Sequence, residues 1–405
     1  MAALLKHFEP IVDPRVSRTR MHSLNDIFTI AISGMICGAD TWVDIVEFAN
    51  ERLDWFKTFL ELPNGIPSHD TFGRVFSALD PVAFSRCFSV WAKGLSSGSK
   101  TIEATNDMPE VIAIDGKTLR RSFDRAAGVA GIHLVSAWST AAQLVLGQIK
   151  TDADSNEITA IPKLLETVNV EGCIVTIDAM GAQKEIVKNI VERGGEYVIS
   201  LKANQPTLFA SVQSFFAQAQ SENFVDVKFS YIETIEKDHG RIETRKYWSS
   251  SDIDGLETKN EWYGLASIGM VESTRCINNE TSIHQRFFIS SLVEADAKKF
   301  SHAVRSHWGI ENKLHWVLDV AFDEDHCRIR KNHAPENVAM MRHMALNLLK
   351  ADDTVRKVGI KIRRNKARRS NQFLLHILGV ECGYDKNPPR GAREVGPHMW
   401  KKFRK

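Results

Sequence analysis

Two apolar runs in this chain end on an aspartate, and they constrain the fold more than any other feature. VIAIDGK carries Asp115, and CIVTIDAMG carries Asp178. Continuous apolar runs of this length read as strands buried on both faces, as in a sheet covered by helices. A carboxylate at the end of such a strand is costly to desolvate unless something charged meets it. Two of them on neighbouring strands make a divalent-metal site the expectation. A third acid, Glu311 in HWGIENKLHW, lies far downstream on a helical pattern.

The remaining pattern places these segments. The first hundred residues read as helical, with Leu24, Ile27, Phe28, Ala31 and Met35 at helical spacing. LPNGIPSHD breaks that pattern, and Ser68 is positioned to cap a helix carrying Phe72, Val75, Phe76 and Leu79. After a linker, GLSSGSKTIEATND, come VIAID, IHLVSAWS and LVLGQIK as strands, SNEITAIPKLLETV as a helix, CIVTID as a strand, QKEIVKNIVERGG as a helix and EYVISLK as a strand. Three strands, helix, strand, helix, strand resembles the order of a ribonuclease-H-like core. The chain is therefore expected to be α/β. A helical N-terminal domain (1–100) precedes a core with a mixed sheet (108–202), a β-rich insertion (203–291), a second core part with a catalytic helix (292–350) and a basic C-terminal region (351–405).

Charge is unevenly placed. The net charge is only +2, yet from Lys350 to Lys405 there are 16 Lys/Arg against 5 Asp/Glu. The densest block is RKVGIKIRRNKARRS, with Arg363, Arg364, Arg368 and Arg369. Such a block suits a polyanion, because neutralised phosphates release counterions. It also suits a solvated tail. The six cysteines form no Cys-x-x-Cys pair, which excludes a zinc ribbon or disulfide framework as the expectation and fits reduced thiols in a cytoplasm. The longest uncharged run, Ile27 to Ala39, is too short for a membrane span of ~20 residues. The charge-broken N-terminus carries no signal-peptide core.

Each acid has a second reading. Asp-Gly is a favoured hairpin turn, so IDGK is also compatible with a tight turn. The GKT that follows lacks the glycine a P-loop needs, since position 111 is Val111. Asp178 suits a helix N-cap. Glu311 shares a helical stripe with Phe300, Val304, Trp308, Leu314 and Leu318, which aims it at the sheet. There it either binds metal or pairs with a local base such as Arg305. His307 and His315, four residues to either side, offer a transition-metal cluster as a further alternative. Asp323 to Asp325 read as a solvated cluster beyond that helix.

The segments AIDGKTLRRS, TIDAMGAQ, YVISLKANQP, HGRIETR and RSHWGIENKLHWVLDVAFDED, with PSHDTFGRVF near the front, resemble a DDE transposase of the H-repeat-associated, ISAs-type insertion-sequence family. The resemblance covers nearly the whole chain. It implies nicking of double-stranded DNA at element ends and attack of the freed 3′-hydroxyl on target DNA. The implied catalytic and metal-binding triad is Asp115, Asp178 and Glu311. The expected cofactor is Mg (or Mn), as two ions, and the expected assembly is a homo-oligomer on DNA. Many related transposases surround this glutamate with tyrosine and arginine before it and lysine after it. At the matching spacings this chain has Val304, His307 and Leu318. Candidates for DNA contact are then Lys117, Lys202, His239, Arg241, Arg305, His307 and Lys313, besides the four arginines of the tail. Degenerate DNA binding without catalysis, and a ribonuclease-H-like host nuclease, are the competing functions.

Such chemistry explains the residue types. In-line attack on a phosphodiester builds charge on the attacking and leaving oxygens. Two divalent ions ~4 Å apart stabilise both. Few carboxylates are needed, because Mg²⁺ completes its shell with water and substrate phosphate.

Overall fold

A computed structural model of the chain describes residues 5–98, 108–123, 128, 130–152, 155–238, 241–277, 280–355 and 358–380. Nine strands form one sheet in the order β3-β2-β1-β4-β5-β9-β8-β7-β6. The first five are β1 (Val111–Thr118), β2 (His133–Ser139), β3 (Leu144–Lys150), β4 (Ile174–Ile177) and β5 (Glu196–Leu201). β1 runs antiparallel to β2 and parallel to β4, and β4 runs parallel to β5.

The stretch between β5 and the next helical region differs from a purely β-rich insertion. It opens with a sixteen-residue helix, Pro206–Ser221, started by Pro206 in the first turn. Leu208, Val212, Phe216 and Ala219 form its buried stripe. Four strands follow: β6 (Phe229–Asp238), β7 (Arg241–Ser250), β8 (Ser267–Ile277) and β9 (Glu280–Ser290). They build no separate layer. β9 pairs antiparallel with β5, so the meander extends the same sheet.

Strand alternation sorts the two faces. Ile112, Ile114, Val175, Ile177 and Ile199 bury one face against helices Glu157–Leu165, Lys184–Glu192 and Pro206–Ser221. Val111, Ile174 and Val198 face the other way, against Phe300, Ala303 and Val304 of helix Ala297–Ile310. Asp296 caps that helix, accepting from the Lys298 and Lys299 amides. Gly269 on β8 lets it lie close, because a Cβ there would collide with the Phe300 ring.

The two chain ends share one core. Helix Ala334–Ala351 is buried among the N-terminal helices Leu24–Ile36, His69–Ala78 and Pro81–Gly98, and the same cluster takes in Phe373, Leu374 and Ile377 from helix Asn371–Leu378. The front helices are thus packed into the molecule. Asn347, fully buried, accepts from the Val145 amide at 2.9 Å and donates to the Val145 carbonyl at 2.8 Å. That closes one unpaired position of the edge strand β3. Ser68 caps its helix as its sequence position suggests.

The basic C-terminal block is the clearest departure from expectation. Residues 360–369 form helix Ile360–Arg369, in which Arg363 and Arg364 point inward. Arg363 donates to the carbonyls of Leu349 (2.6 Å), Asp352 (2.9 Å) and Val358 (3.2 Å). Arg364 donates to the Met35 carbonyl, to Asp40 and to the Ala321 carbonyl, and covers the Phe322 ring. Buried helix-end carbonyls need donors, and these two guanidinium groups supply them.

Candidate active site

Alternation and register bring the two aspartates together. The last paired residues of the parallel strands are Ile114 and Ile177, and the next residue on each is the aspartate. Asp115 shares parity with Val111 and Ala113, and Asp178 with Ile174 and Thr176, so both project to the face that helix Ala297–Ile310 covers. β1 does not turn at Asp115. Its ladder with β2 continues through Gly116 to Thr118, which removes the hairpin reading of IDGK. The capping reading of Asp178 is realised, because its carboxylate accepts from the Met180 amide at 2.9 Å.

Glu311 arrives from the helix side. Asp115, Asp178 and Glu311 line one cleft of about 350 Å³ with Thr176, Ser200, Lys202, Arg286, His307 and Trp308. The inward stripe expected for Glu311 is only partly met. Phe300, Val304, Leu314 and Leu318 are buried, but Glu311 is exposed and Trp308 is 40% exposed. Residues Glu311–His315 form a π-helical turn, which shifts the residues after it around the axis, and Glu311 itself stands at the cleft rim.

Burial, reinforced by the negative charges of Glu157, Asp178 and Glu311, lifts the Asp115 carboxyl to about 7; the Gly116 amide opposes this. Glu157 was not singled out in the sequence. It bonds His133 (2.7 Å), which also meets Thr118 (2.8 Å). A Cβ at Gly116 would collide with both Glu157 and His133, so glycine makes room for that pair. His315 lies 3.6 Å from Asp115, but burial, with Lys117 adding to it, lowers its pKa to about 4. The contact at neutral pH is therefore not an ion pair.

Several expected DNA contacts are otherwise engaged. Lys117 is held by Asp319 and by Glu324 at 3.0 Å. Burial works against its charge, but Glu324 and Asp319 outweigh that and raise its pKa. Glu324 is 2% exposed, so the acidic run after the helix is not simply solvated. Arg305 pairs with Glu236 at 2.9 Å and leaves Glu311 alone. His307 bonds Thr176 at 3.0 Å, and burial lowers its pKa despite Asp178 nearby. It is a neutral strut at neutral pH, and no three-ligand His/Glu cluster exists among the described residues. Arg363 and Arg364 are interior, as above. Lys202, Lys313, Arg368 and Arg369 are exposed. Arg241 begins β7, and His239 lies outside the described residues.

The basic patch thus reduces to its outer residues. Neutralising Arg368 and Arg369 together should flatten the salt dependence of DNA binding by about 0.9 in log–log slope per lost phosphate contact. Titration of affinity against salt checks this, and an unchanged slope removes both from the DNA surface.

No helix among the described residues is long and apolar enough to cross a membrane. Residues 5–92 match the family model described as DDE_Tnp_1-associated, and residues 106–348 match the one described as Transposase DDE domain. The chain is 39% identical over 380 residues to "H repeat-associated putative transposase YhhI" of Escherichia coli (strain K12), covering 93% of this chain and 97% of that protein. It is 39% identical over 399 residues to "Putative transposase YncI" of Escherichia coli O157:H7, covering 97% and 99%. A piggyBac transposase synaptic complex with hairpin DNA overlays with TM-score 0.41 at 10% identity, over 95% of this chain and 78% of that one.

Proposed function

The chain belongs to the DDE transposase family, alongside the H repeat-associated transposases, and from that premise we propose a metal-dependent enzyme that cuts DNA at insertion-sequence ends and joins the freed 3′-hydroxyl to target DNA. The observation that carries this reading is the convergence of Asp115, Asp178 and Glu311 on one cleft. The strand order β3-β2-β1-β4-β5, with β1, β4 and β5 parallel, supports a ribonuclease-H-like core beneath it.

The donor set fits a hard dication. Burial, with three further carboxylates adding to it, holds the Asp115 proton near neutrality, and a bound cation would relieve both. Carboxylate oxygens suit Mg²⁺ or Mn²⁺, which keep water and substrate phosphate in their shell. Asp115, Asp178 and Glu311 would hold the metal, which when bound stabilises the developing charge on attacking and leaving oxygens. The protein's own groups orient the site. Met180 fixes Asp178 through its amide, and His307, tied to Thr176, fixes the helix against β4. Lys202 brings positive charge to the mouth for the DNA backbone. Assembly as a homo-oligomer on DNA is part of the same proposal.

Glu311 supplies the test, because it is exposed and contributes little to packing. Glu311→Gln should lose cleavage and strand transfer while melting within a degree or so of the parent. Asp319→Asn should instead lower stability by releasing Lys117, and keep cleavage. Assay of both on duplex DNA taken from the two flanks of the gene, with Mg²⁺, decides. An active Glu311→Gln protein beside an inactive Asp319→Asn protein would move the third ligand down the helix. A parent that binds these ends but never cuts them supports the degenerate-copy reading.

A further inference from the structure

The cleft has a cation, Arg286, that no acceptor among the described residues hydrogen-bonds. Arg286 lies on β9, two residues from Phe288, which pairs with Ser200 of β5. Alternation therefore turns Arg286 into the cleft with Ser200 and Phe288. Its guanidinium sits 5.8 Å from the centre of the Trp308 ring. His307 feels Asp178 from one side of its charge balance and Arg286 from the other, so acids and guanidinium address the same space.

The neighbouring arginines make the contrast. Arg245 and Arg275 lie near it on β7 and β8, and Arg305 is on helix Ala297–Ile310. Glu243 takes Arg245 at 2.6 Å and Arg275 at 3.0 Å. Glu236 takes Arg245 at 2.8 Å and Arg305 at 2.9 Å. Both carboxylates are thereby engaged. No hydrogen bond or ion pair is formed by Arg286 among the described residues; its one contact of this kind is with the Trp308 ring. A half-buried guanidinium carries five donors in a rigid fork and remains charged. Left without an acceptor in a cleft, it matches the two free oxygens of a phosphodiester, which it can hold bidentately. The carboxylates on the other wall would hold metal against the same strand.

We propose that Arg286, presented by β9, binds a backbone phosphate of the DNA strand lying in the cleft. This rests on the transposase reading of the same site. It assigns the meander β6–β9 a direct part in substrate binding, in addition to its structural role in the sheet.

The test uses the full chain with Arg286→Gln and Arg286→Lys. The probe is a duplex of the DNA immediately flanking the gene, held in EDTA so that no strand is cut. Arg286→Gln should weaken binding about tenfold, within the range for loss of a bidentate charged contact. It should also flatten the log–log salt slope by about 0.9. Arg286→Lys should keep the slope and bind with intermediate affinity, and both should melt with the parent. Parental affinity and slope in Arg286→Gln would overturn the proposal. So would equal weakening in both variants accompanied by a lowered melting temperature, which marks a packing role. Failure of the transposase reading is distinguishable: the parent then leaves the duplex intact in Mg²⁺, whatever the Arg286 variants do in EDTA.

Discussion

Asp115→Asn should abolish strand cleavage in Mg²⁺ and, unusually for a buried change, raise the melting temperature of the metal-free protein. On the proposed role of Asp115 in holding the metal, its loss removes charge stabilisation of several kcal/mol, roughly a thousandfold in rate. DNA binding should persist, because the cations proposed to meet DNA are untouched. The stability gain follows from the raised pKa. Asp115 moves from an ordinary value of 3.8 to about 7 on folding. Its favourable contribution is therefore complete below the ordinary value and is lost as pH rises through about 7. Above that, an ionised Asp115 sits buried among Glu157, Asp178 and Glu311. Asparagine removes that repulsion, for a gain on the order of 2 kcal/mol at a pH of about 8. The gain should shrink as the pH falls to about 5. Thermal melts with EDTA at the two pH values, beside a cleavage assay in Mg²⁺, check both parts. Near-parental cutting would remove Asp115 from the metal site. A lower melting temperature at the higher pH would mean that hydrogen bonding to Gly116, not charge crowding, dominates there.

Arg364→Ala should cost about 3–5 kcal/mol of stability, the range for removing one partner of a buried charged pair. The guanidinium joins three parts of the chain. It donates to the Met35 carbonyl at 3.1 and 2.8 Å, to Asp40 at 2.9 Å and to the Ala321 carbonyl, in the last turn of the helix that follows Glu311. Removing it strands those carbonyls and leaves Asp40 alone, where burial already raises the Asp40 pKa against the pull of Arg364. Arg364→Lys should recover only part, since one ammonium cannot reproduce the fork. Chemical denaturation measures both. An unchanged midpoint together with weaker DNA binding would return Arg364 to the phosphate-facing set.

These two positions show how differently sequence and structure speak about charge. The Asp115 and Asp178 pairing was legible because it rests on local rules. Two apolar runs with a period of two, in parallel register, must place residues of matching parity on one face. The helix of residues 206–221 was also readable in principle, since Pro206 opens it and Leu208, Val212 and Phe216 recur every four residues. The surrounding strand-like segments masked that signal.

The tertiary structure alone decided the rest. The third acid, expected on an inward stripe, sits exposed at the rim at the start of a π-helical turn, and Trp308, one turn earlier on that stripe, is exposed as well. Arg363 and Arg364 look in the sequence like their exposed neighbours Arg368 and Arg369. Only folding reveals that Met35, some 329 residues away, offers a carbonyl to one of them. Arg286 is the converse case, a cation in the cleft while Glu243 and Glu236 are engaged by other arginines. Periodicity determines which way a side chain points from its own strand or helix. Which acceptors await it depends on contacts between distant segments, and these are settled only when the whole core closes.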